Sequence, residues 1–182
     1  KLEGAELLMA VNEALNLNLG IDIRTGEYLI PSSGRETIFS YFKAPIGNLY
    51  PSKNITLKDA YRYLTGPWGR AATERLRSIE DPSQRRAFKS ANFDYITPSG
   101  TFIVRGKNYL VQHSGLLCID FDHVEDVEAL FHKLLEDECF ETQLLFRSPS
   151  GQGLKWIIPI DLVKASHEDY FDSVATYCEK TY

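Results

Sequence analysis

Long apolar runs are missing from this chain of 182 residues. The longest are only a few residues, so no segment suffices to span a bilayer, and nothing reads as a secretory signal. Cysteine is scarce too. Cys118, Cys139 and Cys178 are odd in number and widely spaced, which excludes a Cys-Cys zinc knuckle and argues for reduced thiols in a cytoplasmic protein. Internal repeats, low-complexity tracts and the Gly-Lys-Ser/Thr ending of a Walker A loop are also absent. The first residue is Lys1 rather than Met, so the sequence reads as a piece of a longer protein. What is present is an ordinary soluble composition, 43% hydrophobic and 25% charged, long enough for one domain or a domain with a lobe.

The net charge of −5 conceals an asymmetry. Residues 58–107 carry ten Lys or Arg against five Asp or Glu, whereas residues 118–182 carry five against fourteen. A basic middle beside an acidic end suits a phosphate-rich partner next to a metal site, although two solvated faces of unequal sign would give the same counts.

Residues 5–17 have apolar positions at helical spacing (Leu7, Leu8, Val11, Leu15), and residues 21–30 suggest a hairpin around Thr25-Gly26. Residues 37–42 are aromatic and β-branched, a strand stopped by Pro45. Thr56 with Asp59 forms a capping-box pattern for a helix ending near Gly66-Pro67. Two short helices, 71–79 and 82–89, follow. They carry Arg75, Arg77, Arg85 and Arg86, candidates for contact with a nucleic-acid backbone. Residues 93–97 and 101–104, around Pro98-Ser99-Gly100, predict a β-hairpin.

From Leu116 the periodicity predicts β-α-β-β-α: an apolar strand 116–122, a helix with Val127, Leu130, Phe131, Leu134 and Leu135 on one face, strands 142–147 and 154–160, and a helix capped by Ser166 and Asp169. The expected class is α+β, a ferredoxin/RRM-like β-α-β-β-α core one strand short of the full unit, behind a mixed, mainly helical lobe. The division is placed at 1–90 and 91–182. His113, His132 and His167 have no partner at ligand spacing, and surface or core roles are expected for each.

Two stretches carry candidate chemistry. Asp120 and Asp122 are two apart in a strand and so share a face. Like charges so placed repel unless a cation lies between them, and hard oxygen ligands suit Mg²⁺ or Mn²⁺. Alternatively, one Asp caps the next helix and the other is simply exposed. Arg147, Ser148, Ser150, Gly151, Gly153 and Lys155 surround a turn whose hydroxyls and N–H groups form an anion-binding concavity. The same residues equally suit a hairpin loop.

The order of an apolar strand with Asp120-Phe121-Asp122, a helix, a strand, Ser148-Pro149-Ser150-Gly151-Gln152-Gly153 and a strand resembles the catalytic core of the primase-polymerase (archaeo-eukaryotic primase) superfamily. With Thr97-Pro98-Ser99-Gly100-Thr101-Phe102, His113-Ser114-Gly115-Leu116 and Leu154-Lys155, it is similar to the N-terminal domain of virulence-associated-protein-E-like proteins of bacterial mobile elements. The likeness runs from about Thr65 to the C-terminus. It implies a replication protein with a helicase-like domain further along the full chain. Asp120 and Asp122 would hold metal, Ser148, Ser150 and Gly151 would cradle a nucleoside triphosphate, and the chemistry would be nucleotidyl transfer. This chain departs from that pattern in having Lys155 where a His is usual, and in lacking a third carboxylate on a later strand. Asp161 and Asp172 are the nearest substitutes. The alternative implied is a catalytically degenerate relative that binds nucleotide or DNA or docks a partner. A phosphohydrolase motif of the haloacid-dehalogenase type, with Ser148 as phosphate ligand, expects Gly where His123 stands and a later Asp-Asp pair that is missing.

Overall fold

A computed structural model describes residues 20–22, 27–29 and 37–182. The helix expected over 5–17 lies outside the described residues. Strands β1 (Gly20–Asp22) and β2 (Glu27–Leu29) pair antiparallel, as the hairpin pattern predicts.

The lobe that follows is built on β3 (Ile38–Phe42), which pairs antiparallel with β4 (Lys53–Thr56). Phe39, Ser40 and Phe42 are fully buried. Thr56 closes a reciprocal capping box with Asp59 and starts α1 (Leu57–Thr65). Helix α2 (Pro67–Arg77) has proline at its first turn, and α3 (Pro82–Asn92) has proline after the Asp81 cap.

The hairpin expected across Pro98-Ser99-Gly100 does not form. Strand β5 (Tyr95–Thr97) adds to β3, while β6 (Gly100–Phe102) turns away and pairs with β7 (Leu110–His113). The buried Ser40 hydroxyl accepts the Phe102 N–H at 2.9 Å, which holds β6 over β3. The β4-β3-β5 sheet therefore crosses the division drawn after residue 90.

The remaining strands, β8 (Leu116–Phe121), β9 (Leu144–Arg147) and β10 (Leu154–Pro159), form a sheet in the order β8-β10-β9. Helix α4 (Val127–Leu135) joins β8 to β9, and α5 (His167–Thr181) follows β10. This is the split β-α-β-β-α arrangement of an α+β, ferredoxin-like core. The sheet is antiparallel throughout, because β10 lies between β8 and β9 and opposes both.

One face of the sheet is covered by helices. Leu117, Ile119, Leu154, Trp156 and Ile158 pack there with Leu134 of α4 and with Val174 and Cys178 of α5. The other face is half covered: Leu116, Leu144 and Ile157 pack on Phe39, Tyr41 and Ile55. Asp137 fastens the end of α5 by accepting hydrogen bonds from Tyr177 (2.7 Å) and Tyr182. Burial raises the Asp137 carboxyl, but those hydroxyls and the N–H groups of Phe140 and Cys139 more than offset it and hold it below the usual range.

His113 and His167, expected to stand alone, share a hydrogen bond of 2.9 Å that pins β7 to the start of α5, beside the Lys107–Glu168 ion pair. His113 Nδ1 accepts the Gly115 N–H, so His113 Nε2 must donate and His167 Nδ1 must accept. An added proton on either ring breaks this chain. Burial, and for His113 the neighbouring His167, lowers both imidazoles from 6.5; Glu168 only partly opposes this at His167. The unfolded chain therefore binds protons first as pH falls, and stability is lost below about 6.5 towards the depressed folded values. Denaturant midpoints between about pH 5 and 7.5 should fall with acidity in wild type and vary less in His113→Gln/His167→Gln. Equal slopes would show that the pair is not the titrating link.

Candidate functional site

Strand alternation sets the site out in two rows. In the first, Asp120 of β8 lies opposite Lys155 of β10, which lies opposite Phe146 of β9. Continuing each register by one residue puts Asp122 opposite Gly153 and Gly153 opposite Ser148. The residues between them, Phe121 and Leu154, point to the helical face. Asp120, Asp122, Ser148 and Lys155 thus share the face away from the helices, with the aspartates at its open edge and Ser148 buried. Both aspartates are exposed.

Asp120 and Lys155 form an ion pair in which Asp120 is half exposed and Lys155 one-third exposed. The Cys118 thiol, two residues back on the same face, donates to Asp120 Oδ1 at 3.9 Å. Burial first, and then the Asp120 charge, pushes that thiol up to about 12, so it is inert at neutral pH. Asp122 makes no hydrogen bond or ion pair among the described residues. Among those residues, too, no group of three or more His, Cys, Asp or Glu could hold a metal. Asp161 sits beyond the far end of β10, accepting the Val163 N–H at 3.0 Å and pairing with Lys164 at 3.6 Å. Asp172 is exposed on α5, the helix behind the sheet. Neither completes a metal shell with Asp120 and Asp122.

The turn between β9 and β10 is closed on itself. The Gly151 N–H donates to Ser148 O and the Ser148 N–H to Gly153 O, each at 2.8 Å. Ser148, 5% exposed, shares a 3.0 Å hydrogen bond with the Ser150 hydroxyl. The Gly151 amide is therefore engaged within the turn instead of facing a ligand, and its φ of +82° is the reason for glycine there. Gly153 has a different reason. A Cβ on it would drive into the Phe121 carbonyl oxygen and lie 3.4 Å from Asp122 Oδ1. Its bare α-carbon is what lets β10 approach the Phe121 carbonyl and the start of the Asp122 turn so closely. Past Asp122, His123 adopts φ 57° and the Val124 N–H donates to Gln152 O at 3.1 Å. The acidic strand end and the small-residue turn are one unit.

Arg147 is not part of it. Alternation sends its side chain with Leu145 to the helical face, where it pairs with Glu128 of α4. Of the candidate nucleic-acid contacts, Arg85 donates to Ile79 O through Nε (2.9 Å) and Nη2 (2.7 Å), bracing the α2–α3 loop. Arg75 and Arg86 are exposed. Arg77 reaches from the end of α2 to the turn, donating from Nε to Pro149 O at 3.1 Å. No local pattern signals a contact across 72 residues.

An α+β sheet with an acidic rim beside a small-residue turn is the class of site this fold presents. Residues 88–182 match the family model described as BT4734-like, N-terminal domain, and the chain belongs to that family. Among curated proteins and solved structures, nothing matches. The matched span contains Asp120, Asp122, Ser148, Ser150, Gly151, Gly153 and Lys155, but not Arg77.

Gly153→Ala tests this close approach. The added methyl should part β8 from β10 and lower the unfolding free energy by about 1–3 kcal/mol in a denaturant titration. A variant as stable as wild type would mean that the close approach is not required.

Proposed function

We propose that the uncovered end of this sheet binds a nucleoside triphosphate together with Mg²⁺ or Mn²⁺, as the primase-polymerase-like module its motifs resemble. The observation that supports this most is the shared face of Asp120, Asp122, Lys155 and Ser148 on adjacent strands. The donor set fits a hard cation: two exposed carboxylates stand together, and Asp120 already holds a cation in the Lys155 ammonium. A metal ion there would neutralise phosphate charge. Asp120 and Asp122 would hold it, and Lys155, no longer needed by Asp120, would turn to a phosphate oxygen as a point charge.

The second reading, binding without turnover, is supported by the lack of a third carboxylate among the described residues. Two protein ligands hold a catalytic metal loosely, and positioning supplies much of the rate in phosphoryl chemistry. In either case the module would act in a mobile-element replication protein, beside a helicase-like domain. Its exposed Arg75 and Arg86 would lie near nucleic acid. Three unpaired cysteines suit the cytoplasm.

Lys155→Ala separates this reading from a purely structural ion pair, because its two effects have opposite signs. Losing a competing cation worth at most about 1 kcal/mol should tighten Mn²⁺ alone by up to about fivefold. Losing a charge-assisted contact should weaken Mn²⁺–ATP by about tenfold or more, most strongly at low salt. Asp120→Asn/Asp122→Asn should abolish both in calorimetric titration. If all three proteins give the same isotherms, the face is not a metal and nucleotide site.

A further inference from the structure

We infer that Arg77, carried on α2 of the N-terminal lobe, is a second cation, beside Lys155, that reads the phosphate charge at the β9–β10 turn. The inference rests on the triphosphate reading of that site. Of the two cations that the sequence assigns to the turn, Arg147 is paired with Glu128 behind the sheet, and Lys155 is shared with Asp120, so it reaches a phosphate only once a metal has taken its place there. Arg77 has no ion pair among the described residues. Its one hydrogen bond there runs from Nε to Pro149 O, so both amino groups of the guanidinium keep their donors for a ligand. The group lies flat against the turn, with Cζ, Nε and Nη2 each 3.5 Å from where a Gly151 side chain would begin. That is ordinary van der Waals contact, so the guanidinium packs on the turn without depending on glycine, which the φ of +82° requires for its own sake.

Its base is fixed while its tip is loose. Leu76, the preceding residue, is fully buried. The Ile79 N–H donates to Leu76 O at 3.2 Å, and Arg85 grips Ile79 O from α3. The end of α2 is therefore held in place while the exposed Arg77 side chain exchanges a neutral carbonyl for a charged oxygen. A guanidinium presents a planar fork that matches two phosphate oxygens, which an ammonium cannot do. Through Arg77, a ligand at the turn also ties α2 to the β8-β10-β9 sheet. The residue sets specificity for the number of phosphates rather than for the base.

Equilibrium binding of Mn²⁺–ATP, Mn²⁺–AMP and inorganic tripolyphosphate tests this with wild type, Arg77→Ala, Arg77→Lys and Asp120→Asn/Asp122→Asn. Arg77→Ala should weaken ATP and tripolyphosphate by about tenfold or more while changing AMP little, so that the preference for the longer phosphate chain collapses. Arg77→Lys should recover part of the loss, and the unfolding midpoints of both Arg77 variants should equal that of wild type. If Arg77→Ala binds ATP as wild type does while the double aspartate variant fails, Arg77 has no such role and the site stands without it. If Arg77→Ala loses affinity for single-stranded DNA and not for ATP, the residue is a nucleic-acid contact and the inference is wrong. If wild type binds neither ATP nor tripolyphosphate, the reading of the site falls and the role of Arg77 with it.

Discussion

The direction in which β10 faces governs the rest of the molecule. Leu154, Trp156 and Ile158 are buried to 1% or less on the helical side, and Ile157 is buried on the other. Each such side chain stabilises the fold by about 1.5–3 kcal/mol, and a slip of one residue would turn the whole set over. Trp156 adds a polar lock: its Nε1–H donates to Thr142 Oγ1 at 2.7 Å, and that hydroxyl donates to Leu134 O at 3.2 Å. Indole, β9 approach and α4 are thereby fixed together. With β10 held on both faces, Lys155 has one place to go, opposite Asp120.

The acidic face follows from this constraint. Because the helical side takes the apolar residues of β8 as well, Cys118, Asp120 and Asp122 are directed to the side that the β4-β3-β5 sheet covers only at its far end. Burial deepens towards Leu116 and Leu144, and the charged residues occupy the exposed end of the same strands. The unmet repulsion between two carboxylates is relieved by a lysine from the neighbouring strand, an arrangement that a bound cation can replace at small cost. Ser148 and Gly153 owe their positions to the same registers, so the turn and the aspartates come together without a dedicated loop.

What the sequence made legible was local. Both capping boxes, Thr56 with Asp59 and Ser166 with Asp169, form as the spacing predicts, since all their atoms lie within four residues. The apolar alternation of β8 and β10 and the helical stripe on α4 likewise placed the sheet and its covering helices. What failed was partner choice over distance. Pro98-Ser99-Gly100 looked like a hairpin turn, but β5 found β3 and β6 found β7 because the buried Ser40 hydroxyl, 62 residues before Phe102, takes that amide. His113 with His167 and Arg77 with Pro149 are meetings of the same kind. Arg147 is a different case. Alternation from Leu145 already directs it away from Lys155, yet its nearness in sequence to the serines suggested otherwise.

The central claim is that a cation and a phosphate chain meet at the end of this face, and Mn²⁺ can report that residue by residue. In an amide-resolved NMR spectrum, small additions of Mn²⁺–ATP should broaden the signals of residues 120–123 and 148–155 before any others, with Asp120→Asn/Asp122→Asn abolishing the effect. Broadening centred instead on the acidic stretch 136–141, or spread evenly over the chain, would contradict the account.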